Sequence, residues 1–264
     1  MKTIVITGAS SGIGAALARH LGREGHNLVL SARRTEQLNA VAREVESHVI
    51  TVVADVTRRN EVMRLRDEAV RAFGSIDVWV NNAGRGITRP ALELTDAEFD
   101  EMMAVNVKSA LYGMQVVVPH FMERRQGHII NISSFLARVP IATHRSAYNA
   151  AKAALNALTA NVRVDLAGKY PDIRVSLIMP GLVSTEFARN AVGSSSATAP
   201  AWAPGTSGMK PQTAEEVAAA IAGVIERPVA ELYTNPASAA MARRYFEDVG
   251  AFEESLRAPM SSRA

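Results

Sequence analysis

Thr7-Gly8-Ala9-Ser10-Ser11-Gly12-Ile13-Gly14 follows directly on the short apolar stretch Thr3–Thr7, close to the start of this 264-residue chain. Gly8 permits a tight turn, Gly12 lets the backbone approach a pyrophosphate, and Gly14 allows a helix to pack closely on the preceding strand. A helix that begins here offers unpaired N–H groups and a partial positive charge to phosphates. The alternative is a glycine-rich turn that binds nothing, and the strand before it and the helix after it disfavour that alternative.

Strands and helices are predicted to alternate along the rest of the chain, which is typical of a parallel sheet covered on both faces. Short β-branched runs predict strands at Thr3–Thr7, Leu28–Ser31, Val49–Val53, Val78–Asn81, His128–Ile132, Arg174–Met179 and Glu231–Thr234. Helices are predicted at Gly12–Gly25, Thr35–Glu46, Arg59–Phe73, Asp96–Met122, Ala147–Ala167 and Ala214–Glu226. We expect one α/β domain over residues 1–264 with a doubly wound, Rossmann-type parallel sheet, because a chain of this length closes one large core.

Composition excludes several classes of chemistry. The chain has no cysteine, so disulfides, thiolate metal sites and cysteine nucleophiles are ruled out. Its net charge of +3 comes from basic and acidic residues interspersed along the sequence, and there is no basic tract, which disfavours nucleic-acid binding. The six histidines show no metal-ligand spacing, so no metal site is predicted. No apolar run approaches the roughly 18 residues that span a bilayer, and no signal-peptide pattern is visible, so we expect a cytoplasmic protein.

Three further motifs carry candidate chemistry: Asn81-Asn82-Ala83-Gly84, Ser133-Ser134 and Tyr148-Asn149-Ala150-Ala151-Lys152. Tyr148 and Lys152 are four residues apart in a predicted helix, so their side chains lie on one face. A nearby ammonium lowers the pKa of a phenol, which is ordinarily about 10. Tyr148 could then give a proton to a carbonyl oxygen as hydride reaches the carbon, or take it back. The alternative is a tyrosine packed on a lysine stem in an ordinary helix.

In this order, the four motifs resemble those of the short-chain dehydrogenase/reductase family. Asn82-Ala83-Gly84 follows the fourth predicted strand, Ser134 the fifth and Pro180-Gly181-Leu182-Val183-Ser184-Thr185 the sixth. The resemblance covers about residues 1–185 with specific motifs. It implies that Asn106, Ser134, Tyr148 and Lys152 carry catalysis, with Ser134 bonding the substrate oxygen and the Asn106 backbone helping to hold a water beside the lysine. An asparagine that satisfies only its own helix is the alternative for Asn106.

One interval departs from the family pattern. Ser134 and Tyr148 are one residue further apart than the resemblance leads us to expect, and the extra residue lies within Ala137–Arg145. Ser133 is the alternative to Ser134. His144 and Arg145, within this interval, could reach a substrate, but we interpret them as a loop charge pair exposed to water.

Cofactor choice depends on the end of the second strand, Ser31-Ala32-Arg33-Arg34. An NAD-preferring enzyme normally has an acid at the position of Ala32, whereas guanidinium groups bind a 2′-phosphate. We therefore expect NADP(H), with Arg33 the better candidate and Arg34 as plausibly a solvated surface residue. The resemblance places Asp55 and Val56 at the adenine, Asn82 and Gly84 near the ribose, and Val183 and Thr185 at the carboxamide and phosphate end. The full predicted cofactor set is Gly8, Ser10, Ser11, Gly12, Ile13, Gly14, Arg33, Arg34, Asp55, Val56, Asn82, Ala83, Gly84, Tyr148, Lys152, Val183 and Thr185.

The predicted function is an oxidoreductase that transfers hydride between NADP(H) and an alcohol/carbonyl pair. One alternative is a non-catalytic NADP(H)-binding regulatory protein with the same fold, and another is an epimerase or dehydratase that uses bound cofactor. The sequence carries no code for the substrate, which is a small carbonyl or alcohol compound in the resemblance.

Two expectations concern larger features. Apolar residues on the helices that carry Asn106 and Tyr148 favour a homodimer or homotetramer; they are Leu111, Met114, Val118, Leu155, Leu158 and Val162. The alternative is that all of them pack on the sheet. Residues 188–212 are rich in glycine, serine, alanine and proline, and with Trp202 and Met209 they are predicted to form a substrate lid, the alternative being a passive linker.

Overall fold

All seven described strands lie in one parallel sheet, which confirms the predicted doubly wound α/β fold. The computed structural model describes residues 1–185, 187, 191–193 and 210–257. The strand order is β3-β2-β1-β4-β5-β6-β7. The strands are β1 (Thr3–Thr7), β2 (Asn27–Ala32), β3 (Val49–Val53), β4 (Val78–Asn81), β5 (Gly127–Ile132), β6 (Ile173–Met179) and β7 (Glu231–Tyr233). Their bounds differ from the predicted ones by one residue at most.

Helices connect the strands and extend past the last of them. They are α1 (Gly12–Arg23), α2 (Thr35–Arg43), α3 (Arg59–Phe73), α4 (Asp96–Met103), α5 (Ser109–Arg124), α6 (Ser146–Ala167), α7 (Ala214–Glu226), α8 (Pro236–Glu247) and α9 (Val249–Arg257). The last two helices were not among the predicted elements. No helix in the described ranges is both long and apolar enough to cross a membrane.

Two hydrophobic cores lie on opposite faces of the sheet because successive strand residues point to opposite sides. Ile4 and Ile6 of β1 belong to the core under α1, α2 and α7. Val5, between them, belongs to the core under α3, α5 and α6, which also holds the fully buried Trp79. Strands buried on both faces explain why their sequences read as continuous apolar runs rather than alternating ones.

The predicted helix Asp96–Met122 is helical along its whole length, but it is not α-helical throughout. A π-helical segment, Ala104–Lys108, separates α4 from α5. Asn106 lies within it, and its side-chain Nδ2 donates to the carbonyl oxygens of Arg85 at 2.9 Å and Met102 at 3.1 Å. The bond to Met102 gives a helix carbonyl a side-chain partner, and the bond to Arg85 connects the π-helical segment to the loop after β4. Such π-helical segments are frequent at functional sites.

Helices α8 and α9 pack on the segment that follows β5. Phe135, Val139 and Ile141 of that segment share a buried cluster with Ala242 of α8 and Phe252 of α9. The carboxyl-terminal helices therefore support the loop that leads into α6, which is a role that the sequence pattern did not indicate.

Most of the predicted lid, including Trp202 and Met209, lies outside the described residues. Its described parts are joined to the body by backbone hydrogen bonds. Val192 N donates to Gly86 O at 3.0 Å, and Gln212 N donates to Leu182 O at 2.8 Å.

Candidate active site at the carboxyl edge of the sheet

A cleft of about 770 Å³ opens at the carboxyl ends of the strands. It lies where the strand order reverses between β1 and β4, the point at which open α/β sheets bind ligands. Of the predicted site residues, all line the cleft except Gly14 and Asn106, which lie behind its wall. The topology thus brings together residues that are far apart in the sequence.

The glycine-rich turn accepts only glycine at the positions that shape it. Gly8 has a φ of 67°, and a Cβ there would lie 2.8 Å from the Cα of Ala83. A Cβ on Gly14 would lie 2.5 Å from the carbonyl oxygen of Gly8. Ser11, which precedes α1, makes no side-chain cap. A tight turn that leads into an uncapped helix amino terminus fits a pyrophosphate group.

Asn82 holds this turn from the neighbouring strand. Its Nδ2 donates to the carbonyl oxygens of Thr7 at 2.9 Å and Gly8 at 3.2 Å, and its backbone N donates to Thr7 Oγ1 at 3.0 Å. The side-chain amide of Asn82 is therefore used to shape the turn.

The far end of the cleft carries two exposed arginines after β2. The Arg34 guanidinium donates to Ser10 Oγ at 3.0 Å and Ser11 Oγ at 2.6 Å. Arg33 lies near Asp55. Burial raises the pKa of Asp55, but hydrogen bonds from Thr57 and the charge of Arg33 outweigh it, so that the pKa is lowered overall. Arg34, the residue predicted as plausibly only solvated, is thus the arginine bonded to the glycine-rich turn.

The opposite end of the cleft holds the tyrosine and lysine of α6. Tyr148 is 8% exposed and Lys152 4%. The Ser134 side chain lies close enough to the Tyr148 hydroxyl to lower the pKa of the phenol. Lys152 Nζ lies 5.8 Å from the centre of the Tyr148 ring and donates to Ile132 O at 2.8 Å. Ser133 Oγ instead donates to Asn156 Oδ1 at 2.5 Å, so the geometry selects Ser134 over Ser133 as the partner of the phenol.

Burial controls the protonation of both groups. It raises the pKa of Tyr148, and the hydrogen bond with Ser134 and the charge of Arg145 offset only part of that rise. Burial also lowers the pKa of Lys152 to about 7. The predicted lowering of the phenol pKa by Lys152 is not among the influences on Tyr148, whose pKa is raised overall by burial. The cation that acts on Tyr148 is Arg145.

The interpretation of His144 and Arg145 as an exposed charge pair is wrong. His144 is half-buried and Arg145 is only 9% exposed. Arg145 immediately precedes α6, and both Arg145 and Tyr148 line the cleft.

Asn106 approaches the lysine from behind the cleft wall. Its Oδ1 accepts from Arg85 N at 3.2 Å. A Cβ on Gly84 would lie 3.0 Å from Asn106 Oδ1 and 3.5 Å from Lys152 Nζ, so both side chains lie close to Gly84. The structure thus brings all four predicted catalytic residues to one end of the cleft.

Sequence reasoning missed Phe187 and Gly86 at this end. The Phe187 and Tyr148 rings are 5.4 Å apart in an edge-on arrangement. A Cβ on Gly86 would lie 2.9 Å from both Phe187 Cε1 and Arg145 Nη1. Their positions next to Thr185 and Gly84 in the sequence were the available signal, but neither carries a motif of its own.

The chain belongs to the short-chain dehydrogenase family, whose model, described as "short chain dehydrogenase", matches residues 2–194. An uncharacterized oxidoreductase of Staphylococcus epidermidis is 35% identical over 184 residues, which cover 70% of this chain and 79% of that protein. The chain is thus a member of an oxidoreductase family, as the four motifs predicted.

Solved structures extend the similarity to nicotinamide-bound proteins. A short-chain dehydrogenase/reductase from Burkholderia phymatum in complex with NAD has a TM-score of 0.83 and 27% identity, and the match covers 95% of this chain and 94% of that one. An alcohol dehydrogenase from Thermococcus sibiricus complexed with 5-hydroxy-NADP has a TM-score of 0.75 and 28% identity, covering 88% and 95%.

Proposed function

We propose that this chain is an NADP(H)-dependent oxidoreductase that interconverts an alcohol and a carbonyl compound. One observation carries the proposal. Tyr148, Ser134 and Lys152 lie together at one end of a cleft whose other end fits a pyrophosphate. A bound nicotinamide would supply or accept the hydride, and the protein must then move a proton at the substrate oxygen.

Tyr148 is the group placed to move that proton. Its pKa, raised by burial, keeps the phenol protonated at neutral pH, so the hydroxyl can donate to a carbonyl oxygen during reduction. Ser134 would hydrogen bond the same oxygen and stabilise charge that develops on it. Lys152, with a pKa of about 7, can hold or release a proton near neutral pH one helical turn away. Asn106 acts through its position next to Lys152.

Preference for NADP(H) over NAD(H) is supported by the charges at the far end of the cleft. Ala32 offers no carboxylate to bond a ribose 2′-hydroxyl or to repel a 2′-phosphate. Arg33 and Arg34 line the cleft directly after it, and Arg34 lies on the two serine hydroxyls of the glycine-rich turn. Two guanidinium groups next to hydroxyl donors form a phosphate-binding arrangement.

Tyr148→Phe tests the catalytic assignment. We expect kcat to fall between about a hundredfold and ten-thousandfold, because the substitution removes only the proton-transferring oxygen. The dissociation constant for NADPH, measured by fluorescence titration, should stay within about threefold, since the ring is retained. Tyr170→Phe, outside the cleft, is the matched control and should leave both values unchanged.

Turnover is measured as NADPH oxidation in a screen of carbonyl substrates, which are ketoacyl thioesters, steroids, sugars and xenobiotic ketones. Near wild-type turnover by Tyr148→Phe would contradict the role of Tyr148. Tight NADPH binding without turnover of any carbonyl by the unmodified protein would favour the non-catalytic regulatory alternative instead.

We also propose that the chain forms a homodimer or homotetramer through α5 and α6. Met114 and Leu155 are buried in the chain's own core, but the other four predicted contact residues, Leu111, Val118, Leu158 and Val162, are only partly buried. Val164 on α6 is 74% exposed. Apolar surface on two long helices favours self-association. A light-scattering mass equal to one chain would contradict it.

A further inference from the structure

Arg145 is a buried cation with few partners. Its side chain makes one hydrogen bond among the described residues, from Nη1 to Ile87 O at 3.3 Å, although a guanidinium has five N–H donors. No described carboxylate lies within ion-pair distance of it. Burying a charge without a counter-charge costs several kcal/mol, so such a residue is retained only where a partner arrives or a function needs it.

The guanidinium faces the reacting end of the cleft. Arg145 lines the cleft together with Tyr148 and Phe187. Its Nη1 lies against Gly86, where any Cβ would come within 2.9 Å of it. The backbone at Arg145 is held at both sides, by a bond from its N to Ala142 O at 2.8 Å and by a bond from Asn149 N to its O at 2.9 Å. The side chain therefore starts from a fixed point one helical turn before the phenol.

Nearby arginines contrast with it. Arg85 lines the same cleft but is paired with Glu101. Arg89 is paired with Glu98 at 3.0 Å, and Arg138 in the same loop is paired with Glu231 at 2.8 Å. Each of these arginines has an acidic partner within the chain, whereas Arg145, the most buried of the four, has none in the described part of it.

The cleft as a whole is complementary to anions. Of its described lining residues, five are basic and one is acidic. The basic residues are Arg33, Arg34, Arg85, Arg145 and Lys152, and the acidic one is Asp55. Arg33 and Arg34 lie at the proposed phosphate end and Arg85 is already paired. Among the described residues, this leaves Arg145 as the permanent charge beside Tyr148 that has no acidic partner.

We propose that Arg145 binds an acidic group of the substrate, a carboxylate or a phosphate, and that the enzyme acts on anionic carbonyl compounds. This inference rests on the proposed function and names the substrate class for it. A guanidinium bonds either oxyanion through paired donors, and the burial of Arg145 strengthens such a contact. The anion would fix the carbonyl group relative to Tyr148 and supply the missing counter-charge.

Matched substrate pairs test the proposal in the unmodified enzyme with NADPH. The pairs are 3-oxobutanoate and 4-oxopentanoate, each against its methyl ester, and dihydroxyacetone phosphate against dihydroxyacetone. In at least one pair we expect kcat/KM for the charged member to exceed that for the neutral one by about tenfold to a hundredfold. A preference confined to the first two pairs identifies a carboxylate substrate, and one confined to the last identifies a phosphate.

Variants then assign the preference to Arg145. Arg145→Gln should reduce the charged-to-neutral ratio of kcat/KM to near one, and Arg145→Lys should keep part of it because charge survives without the paired geometry. Arg138→Gln is the matched control, since it lies in the same loop outside the cleft, and it should leave the ratio unchanged. The ratio is the readout because loss of the Arg145 charge near Tyr148 alone would slow both members of a pair equally.

Turnover of the neutral carbonyls with no preference for any charged member would overturn this inference and leave the proposed function intact. An unchanged ratio in a folded Arg145→Gln variant would also overturn it. If that variant does not fold, the kcat/KM ratios of charged to neutral substrates in the unmodified enzyme still test whether the substrate is anionic. Absence of turnover in every pair, with turnover of another carbonyl class, would overturn this inference alone, and absence of turnover of every carbonyl despite bound NADPH would overturn the proposed function itself.

Discussion

The two ends of the cleft use positive charge in opposite ways. At the end proposed for the cofactor phosphate, Arg33 and Arg34 are exposed, and Arg34 donates to the serine hydroxyls of the glycine-rich turn. At the reacting end, Arg145 and Lys152 are buried, at 9% and 4% exposure. Exposed charges are screened and add little to stability, whereas buried charges cost stability and shift each other's protonation. Changes at the first end should therefore alter binding, and changes at the second should alter folding and chemistry together.

Lys152→Met should give the largest change in folding stability. The pKa of Lys152 is about 7 in the folded protein, below its ordinary 10.5, so the unfolded chain binds more protons between these values. The stability of the wild-type protein thus rises from pH 7 towards 10.5, and near pH 7 the buried lysine costs up to about 5 kcal/mol. We expect Lys152→Met to raise Tm at pH 7 by several degrees while activity is lost.

The gain from Lys152→Met should shrink as pH rises, which scanning calorimetry at pH 7 and pH 9.5 can measure. Lys169→Met removes an exposed lysine outside the cleft and should have little effect at either pH. If the Lys152→Met variant were less stable than wild type at pH 7, burial of Lys152 would not destabilise the folded protein.

His128 tests whether burial acts in the same way outside the cleft. Burial, followed by the charges of Lys2 and Arg174, lowers the pKa of His128 to about 4. Its Nε2 lies 2.8 Å from Ser176 Oγ between β5 and β6. The unfolded chain takes up a proton near pH 6.5 that the folded chain resists, so stability is lost as pH falls from about 6.5 to 4, by about 3 kcal/mol.

Urea unfolding of wild type and His128→Gln at pH 7.5 and 4.5 measures this loss. The variant should lose less stability between the two pH values than wild type does. His48→Gln, an exposed histidine, is the control and should follow wild type. Equal pH dependence in wild type and His128→Gln would mean that other groups account for the acid sensitivity.

The cofactor end should show the smallest effects, confined to binding. Arg33→Ala and Arg34→Ala should each weaken NADPH binding by about tenfold to a hundredfold, through loss of about 1.5–3 kcal/mol of charge-assisted bonding, with NADH binding and Tm nearly unchanged. Arg58→Ala, exposed and outside the cleft, is the matched control. Equal dissociation constants for NADPH and NADH in the unmodified protein would remove the proposed preference.

Much of the fold and of the cofactor end could be predicted from sequence because both depend on local backbone rules. Thr7 to Gly14 encodes a strand, a turn that only glycine can form and a helix start, and each is set by neighbours in the chain. The capping boxes that begin α4 at Thr95 and α7 at Thr213 are local in the same sense, since each joins residues three apart in the chain. Tyr148 and Lys152 are four residues apart, which predicted that they share a helix face, and both side chains of α6 line the cleft.

Only the tertiary structure decided what surrounds those residues. The π-segment at Asn106 depends on bonds to Arg85, which is 21 residues away in the sequence. Arg145 appears in the sequence as an ordinary loop charge, and its burial follows from the packing of Gly86, Ile87 and Phe187 around it. Desolvation depends on every neighbour at once, so the pKa values of Tyr148 and Lys152 and the burial of the Arg145 charge emerge when distant segments pack together. Local patterns determined which groups this protein carries at its site, and packing determined how they are charged.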